Sequence, residues 1–139
     1  MADLIVLAHA VPIVKSGSVL VYYQDIREAV DVSAYDSVDF QISATSNHVD
    51  GITVSIITSM QNKIDDLAAG LGVPSWYSIG SKTIAATAGV SAIKALSVPS
   101  NSADEPMLRY IRYMITLGTN TTNAAFTIEG LARRGLRVG

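Results

Sequence analysis

The sequence contains no cysteine, and this absence excludes several kinds of site at once. Disulfide bonds, thiolate metal centres and cysteine nucleophiles all need a sulfur atom that the chain does not have. Histidine is almost as scarce, since His9 and His48 are the only two. Neither stands in a catalytic motif, and two isolated imidazoles are too few for a zinc site of about four ligands. We therefore expect no catalytic residue, no bound metal and no cofactor.

Charged residues are also few. They make up 16% of the 139 residues, which is below the usual quarter, while hydrophobic residues make up 49% and the net charge is −2. This balance gives no basic field for nucleic acid or for an anionic membrane. The high apolar fraction indicates that another copy of the protein, or a larger assembly, covers part of the surface.

The chain has no long hydrophobic run. The most apolar stretch near its start, residues 4–14, follows Asp3 and is interrupted by His9 and Pro12. It is much shorter than the roughly 20 residues that span a membrane, and it lacks the basic start of a secretory signal. We expect neither a signal peptide nor a membrane partner, and we predict a strand at residues 4–7.

The strongest pattern is alternation of apolar and polar residues with a period of two. It is unbroken over residues 38–45, and residues 52–58 repeat it with one step out of phase. A strand sorts such residues onto two faces, whereas a helix scatters them around its axis. Residues 46–51 between the two runs are turn-forming and end in Asp50-Gly51. The pattern therefore predicts an antiparallel hairpin of these two strands.

Shorter runs of the same kind predict a single domain, residues 1–139, with an all-β fold. Further strands are predicted at residues 19–23, 28–32, 76–79, 91–98, 107–117 and 124–132, and one short helix or helical loop at residues 62–71. Short strands with turns between them are typical of an antiparallel β-sandwich or jelly roll. An extended N-terminal strand (1–14) and a C-terminal arm (133–139) complete the prediction. The predicted core between the sheets consists of Phe40, Ile42, Val54, Ile56, Trp76, Phe126 and Ile128.

Two groups of side chains are candidate contact sites. Trp76 and Tyr77 are adjacent, which suits either a sugar-stacking platform or, as we favour, a core Trp beside an outward Tyr. Arg109 and Arg112 are three residues apart and so lie on opposite faces of a strand. One should be exposed, and the other must pair with a carboxylate or line an interface, because an unpaired buried charge is costly.

Three more arginines lie near the C-terminus, namely Arg133, Arg134 and Arg137. They form either a solubilising tail or an arm that docks on an acidic neighbour. Together with Arg109 and Arg112 they are the predicted interface residues.

Several stretches resemble the small β-sandwich proteins that decorate or cement the capsids of tailed bacteriophages, and the related jelly rolls of virions. The resemblance is carried by residues 35–42, 52–60, 76–80, 109–113 and 125–130. It implies a non-enzymatic protein on the virion capsid surface, which forms homo-oligomers and has the major capsid protein as its partner. Two alternatives are a carbohydrate-binding jelly-roll module, on a virion or secreted, that uses Trp76 and Tyr77, and another head or tail component of a phage. A third alternative, a small hydrolase, is supported by no sequence motif.

Overall fold

The computed structural model describes residues 2–61, 76–85, 92–99 and 106–134, and these residues are mostly β-strand. In chain order the strands are β1 (Ala2–Val14), β2 (Val21–Tyr23), β3 (Val30–Asp31), β4 (Ser37–Ser46), β5 (Ile52–Ser59), β6 (Tyr77–Ile84), β7 (Ala92–Val98), β8 (Tyr110–Leu117) and β9 (Asn123–Arg133). A 3-10 helix, Ile26–Glu28, separates β2 from β3. The helix predicted at residues 62–71 lies outside the described residues.

The strands form two antiparallel sheets that enclose one core. Sheet A has the order β1-β9-β4-β7, and sheet B has the order β2-β8-β5-β6, with β3 paired to β8 on the same edge as β2. Since β2 and β3 form one interrupted edge strand, each sheet is effectively four strands wide. Apart from the break between β2 and β3, only the connection from β5 to β6 joins strands of the same sheet. All remaining connections join a strand of one sheet to a strand of the other. This is the arrangement of a jelly roll, and the predicted all-β sandwich is confirmed.

Alternation along the strands places the core as predicted, with one exception. Phe40, Ile42, Val54, Ile56, Phe126 and Ile128 are all buried between the sheets. Phe126 of sheet A meets Tyr113 of sheet B edge-to-face, with ring centroids 5.0 Å apart. The exception is Trp76, which lies outside this core cluster.

The predicted hairpin of β4 and β5 is wrong. β4 pairs with β7 and β9 in sheet A, whereas β5 pairs with β6 and β8 in sheet B. Residues 47–51 therefore cross between the sheets instead of reversing the chain within one sheet. Gly51 makes this crossing possible because its φ is +61° and its Cα lies against the backbone of Ile84, where a Cβ would overlap the carbonyl oxygen.

A second crossing, from β8 to β9, lies beside the first and is hydrogen-bonded to it. The carboxylate of Asp50 accepts both the backbone N–H and the side-chain N–H of Asn120 at 2.9 Å. The pKa of Asp50 is lowered, chiefly because the Asn120 backbone N–H donates to its charged form. The carbonyl of Gly51 accepts the N–H of Gly118 and the hydroxyl of Thr121, each at 2.9 Å. Each crossing thus fixes the position of the other.

The N-terminal strand β1 runs from Ala2 to Val14, so it extends beyond residues 4–7 on both sides and lies within the extended strand expected over residues 1–14. Arg133 ends β9, Arg134 is exposed, and residues 135–139 of the predicted arm lie outside the described residues.

Replacing Gly51 by alanine should lower the free energy of unfolding by about 3 kcal/mol or more. The left-handed backbone alone costs a side chain about 1 kcal/mol, and the added methyl group also overlaps a backbone carbonyl that is held in β6. Gly17→Ala is the matched control, because Gly17 has a φ of +57° and no heavy atom within 4 Å of an added Cβ. It should lose only about 1 kcal/mol. Urea unfolding of both variants measures the difference, and equal losses would contradict the close approach at Gly51.

Candidate functional site

The outer face of sheet A, turned away from the core, carries several exposed apolar side chains. They are Leu4, Val6, Val14, Ile93 and Leu131, and we call this set the apolar face. Leu4 lies directly opposite Leu131 in the β1–β9 pair, and Val6 follows Leu4 on the same side of β1. Their exposed fractions are 68%, 43% and 48% respectively. These three side chains form one continuous apolar block at the β1 edge of the sheet.

One pair of opposite charges and one exposed carboxylate also lie on this face. Asp39 of β4 accepts a hydrogen bond from the hydroxyl of Ser97 at 2.8 Å and forms an ion pair with Arg133 Nε at 2.9 Å. Glu129 lies opposite Val6 and is exposed. Asp39 lies on the solvent face of β4, where the alternation over residues 38–45 places it.

Two shallow depressions of about 170 and 560 Å³ adjoin on the same sheet. Thr45 and Ala125 line both, and the described residues that line them are small or neutral, without a titratable side chain. Ala10 lines the smaller one, and its N–H donates to Thr127 Oγ1 at 2.9 Å. The described side chains that line the two depressions supply hydroxyl groups, but they include no acid–base pair and no pair of a nucleophile with a base.

The outer face of sheet B has a different character, because a buried arginine is stacked among aromatic rings there. Arg112 is only 6% exposed, and its guanidinium carbon lies 4.5 Å from the Trp76 ring centroid and 5.2 Å from that of Tyr23. Its Nη1 donates to the carbonyl oxygen of Gln24 at 3.0 Å. The rings shield the guanidinium from water while retaining a favourable interaction with its charge.

Trp76 and Tyr77 have the opposite orientation to the one predicted. Tyr77 packs against the core, whereas Trp76 is half-buried beside Arg112. The cause is a register shift between Ile56 and Ile57, which places Tyr77 opposite Thr58, on the core side of β5. A sugar platform needs an open ring face, but the guanidinium of Arg112 covers part of the Trp76 ring. The pair therefore lacks the geometry of a free stacking platform.

The predicted interface arginines are divided between the two outer faces. Arg109 precedes β8, is exposed and forms an ion pair with Asp31 at 3.2 Å, while Arg112 lies within β8 and is buried on the outer face of sheet B. Arg133 lies on the outer face of sheet A, paired with Asp39, and Arg134 is exposed next to it. Arg137 lies outside the described residues. The described arginines thus do not gather into a single basic patch.

The two histidines lie apart in the fold. His9 is exposed on β1. His48 lies in the β4–β5 crossing, where its Nδ1 accepts the backbone N–H of Asp50 at 3.1 Å. Among the residues that the structure describes, no three His, Asp or Glu side chains come together in a way that could hold a metal ion.

Comparisons with protein-family models, with curated proteins and with solved structures give no match to this chain. Within the described part of the chain, no helix has the length and apolar character needed to cross a membrane.

The exposure of Leu131 was not predicted, although the sequence contains its signal. In β9 the apolar positions 126, 128 and 132 share one phase, and Leu131 falls in the other phase with Thr127 and Glu129. An apolar residue in the polar phase of a strand marks a surface that another group can cover.

Arg112→Lys should destabilise the protein by about 2 kcal/mol, because an ammonium group lacks the planar guanidinium that stacks on the rings of Trp76 and Tyr23 while donating to the Gln24 carbonyl. Arg109→Lys, directly before that strand, is the matched control, since its ion pair with Asp31 is exposed on both sides. It should change stability by no more than about 0.5 kcal/mol. Denaturant unfolding compares the two, and a neutral Arg112→Lys would show that the stack does not support the sheet.

Proposed function

We propose that the protein is a non-enzymatic structural protein of a virion, which decorates or cements the capsid of a tailed bacteriophage. It binds the capsid surface and stabilises the shell through contacts with the major capsid protein and with other copies of itself. The apolar face of sheet A is the observation that carries this proposal. Its five exposed side chains lie on one surface of a protein with few charges.

The energetics favour a partner that covers this face. Removing an exposed Leu, Ile or Val side chain from water contributes on the order of 1 kcal/mol. A single contact of this size is weak, but a shell that presents many equivalent sites binds many copies and reinforces each contact. The ion pair of Asp39 with Arg133 lowers the desolvation cost, because neither charge approaches the partner alone.

The fold and the sequence resemblance agree with this role. Viral capsid proteins and lectins both have jelly-roll folds, so the fold alone does not distinguish a capsid protein from a sugar-binding module. The stacked environment of Trp76 favours the capsid role over the sugar-binding one, because the ring is engaged within the chain. The net charge of −2 and the pairing of Arg109 and Arg133 with carboxylates support a protein partner instead of nucleic acid.

Ile93→Glu should abolish binding to capsids from which the protein has been removed. Ile93 is 63% exposed on β7, so a charge there leaves the core intact but must be buried when a partner covers the apolar face. Val49→Glu is the matched control, since Val49 is 60% exposed in the β4–β5 crossing, away from that face. Co-sedimentation should show at least about tenfold less bound Ile93→Glu than Val49→Glu.

Cryo-electron microscopy of the particle gives the second measurement. It should show copies of the protein on the outside of the capsid, with sheet A turned towards the shell or towards a neighbouring copy. Copies found only in the tail, or equal binding of the two variants, would refute the assignment as a capsid decoration protein.

A further inference from the structure

The free edges of the two sheets differ in how they are protected against pairing with another strand. On β7, Lys94 lies opposite Ile42 on the core-facing side of the strand, yet its side chain is exposed. On β6, Lys82 is placed in the same way opposite Val54. Inward-pointing lysines on an edge strand make the approach of another sheet unfavourable. The third edge is protected by its shortness, since β2 and β3 have three and two residues.

The fourth edge, the first part of β1, carries one charge of this kind, since Asp3 is exposed and lies opposite Ala132 on the core-facing side of the strand, but this charge is already engaged within the chain. Its segment from Leu4 to Ala8 is uncharged, and the carboxylate of the preceding Asp3 accepts the hydroxyl of Tyr35. The pairing of β1 with β9 is regular up to Val6 and shifts between Val6 and Ala8. In the described part of the chain, β1 pairs with β9 alone, so its outer backbone groups face no other strand.

Beyond Val6 the strand is no longer suited to pairing. The side chain of Gln24 donates to the carbonyl of Leu7 at 3.1 Å in a buried position, and a second register shift follows before Val11. Ala10 has a positive φ of 48°, and Pro12 has no N–H to donate. The open edge is thus a short, regular segment of residues 2–6, which carries the exposed side chains of Leu4 and Val6.

We propose that this segment pairs with the same segment of a second copy, antiparallel and about a two-fold axis at Ile5. The two copies of sheet A then form one continuous eight-stranded sheet. Leu4 of each copy lies opposite Val6 of the other on the outer face, and Leu131 extends the apolar block on both sides. An edge of unpaired backbone groups fits an extended strand, and a two-fold contact closes after two copies, so it does not lead to fibres.

Other registers fit less well. An axis at Leu4 places Val6 opposite Ala2 and leaves much of the Val6 side chain uncovered. An axis at Val6 brings Leu4 opposite Ala8, which lies beyond the register shift and is buried in the core. Only the axis at Ile5 pairs the two exposed apolar residues with each other inside the regular segment.

The size of the contact predicts a weak dimer. Stable interfaces bury about 800 Å² on each partner, and a five-residue strand with two exposed apolar side chains, together with Leu131 of β9, supplies much less. The pairing therefore becomes effective when a capsid holds copies close together, which raises their effective concentration. In this respect the inference rests on the proposed function and names the contact between neighbouring copies.

The absence of cysteine allows a test with single-cysteine variants. In the proposed dimer the Cβ atoms of residues 4 and 6 of opposite copies are about 5 Å apart, near the separation that a disulfide requires. Identical residues of the two copies are diagonal neighbours about 7–8 Å apart and are not readily bridged. A mixture of Leu4→Cys and Val6→Cys proteins should therefore form disulfide-linked heterodimers about tenfold faster than either variant alone forms homodimers. Mass spectrometry distinguishes the three products.

Val49→Cys supplies the rate of random collision, because Val49 is similarly exposed but lies in a crossing. A mixed rate no higher than that of Val49→Cys overturns the pairing. Fast homodimers of Leu4→Cys alone overturn the register. Neither outcome affects the capsid-binding comparison of Ile93→Glu with Val49→Glu, because β9 and β4 separate β7 from β1 in sheet A. The two proposals can therefore fail independently.

Discussion

The hydrogen bonds between the two neighbouring crossings, residues 47–51 and residues 118–122, are the constraint on which the rest of this structure depends. The side-chain oxygen of Asn47 accepts the backbone N–H groups of Thr122 and Asn123 at 2.9 and 3.1 Å. Asp50 holds Asn120 in the same way from the other end of the crossing. Because one crossing leaves sheet A and the other enters it, these bonds set the offset between the two sheets. That offset determines which residues of the two sheets meet across the core, as Phe126 of sheet A meets Tyr113 of sheet B.

The sequence predicts the strands and their faces well because burial is a local property of a strand. Alternation over residues 38–45 correctly placed Phe40 and Ile42 in the core, and the same reasoning placed Phe126 and Ile128 there. Strand pairing is not local. The same polar turn that ends in Asp50-Gly51 can close a hairpin or join two sheets, and both outcomes preserve the alternation on each side. Whether the turn closes a hairpin or joins two sheets depends on the packing of Gly51 against Ile84, a residue 33 positions away in the chain.

The candidate sites show the same division between local and distant information. The spacing of Arg109 and Arg112 predicts opposite faces of one strand, but β8 begins at Tyr110, so Arg109 precedes the strand and the exposure of the two arginines does not follow from their spacing. The partners of Arg112 were not predictable, since Tyr23 and Trp76 come from strands or segments far apart in the chain. The reversed orientation of Trp76 and Tyr77 has the same origin, because it follows from the shift in the β5–β6 pairing at Ile79, which the sequence around the aromatic pair does not reveal.

The side chain of Gln24 connects β1 of sheet A with the aromatic and arginine cluster on the outer face of sheet B. Its Oε1 accepts the N–H of Tyr113 at 3.1 Å, and its Nε2 donates to the carbonyl oxygens of Leu7 and Glu28. Its own backbone carbonyl accepts the guanidinium of Arg112. One buried residue therefore ties the aromatic and arginine cluster of sheet B to β1 of sheet A.

This connection also limits what β1 can do. A long, flat, apolar edge strand is free to slip in register and to recruit further chains. Here the bond from Gln24 to Leu7 coincides with the end of regular pairing between β1 and β9, so only a short segment stays open. A short segment with two exposed apolar side chains on one face has few registers in which both are covered. The buried polar network of sheet B thus gives the edge of sheet A the specificity that a contact between identical copies requires.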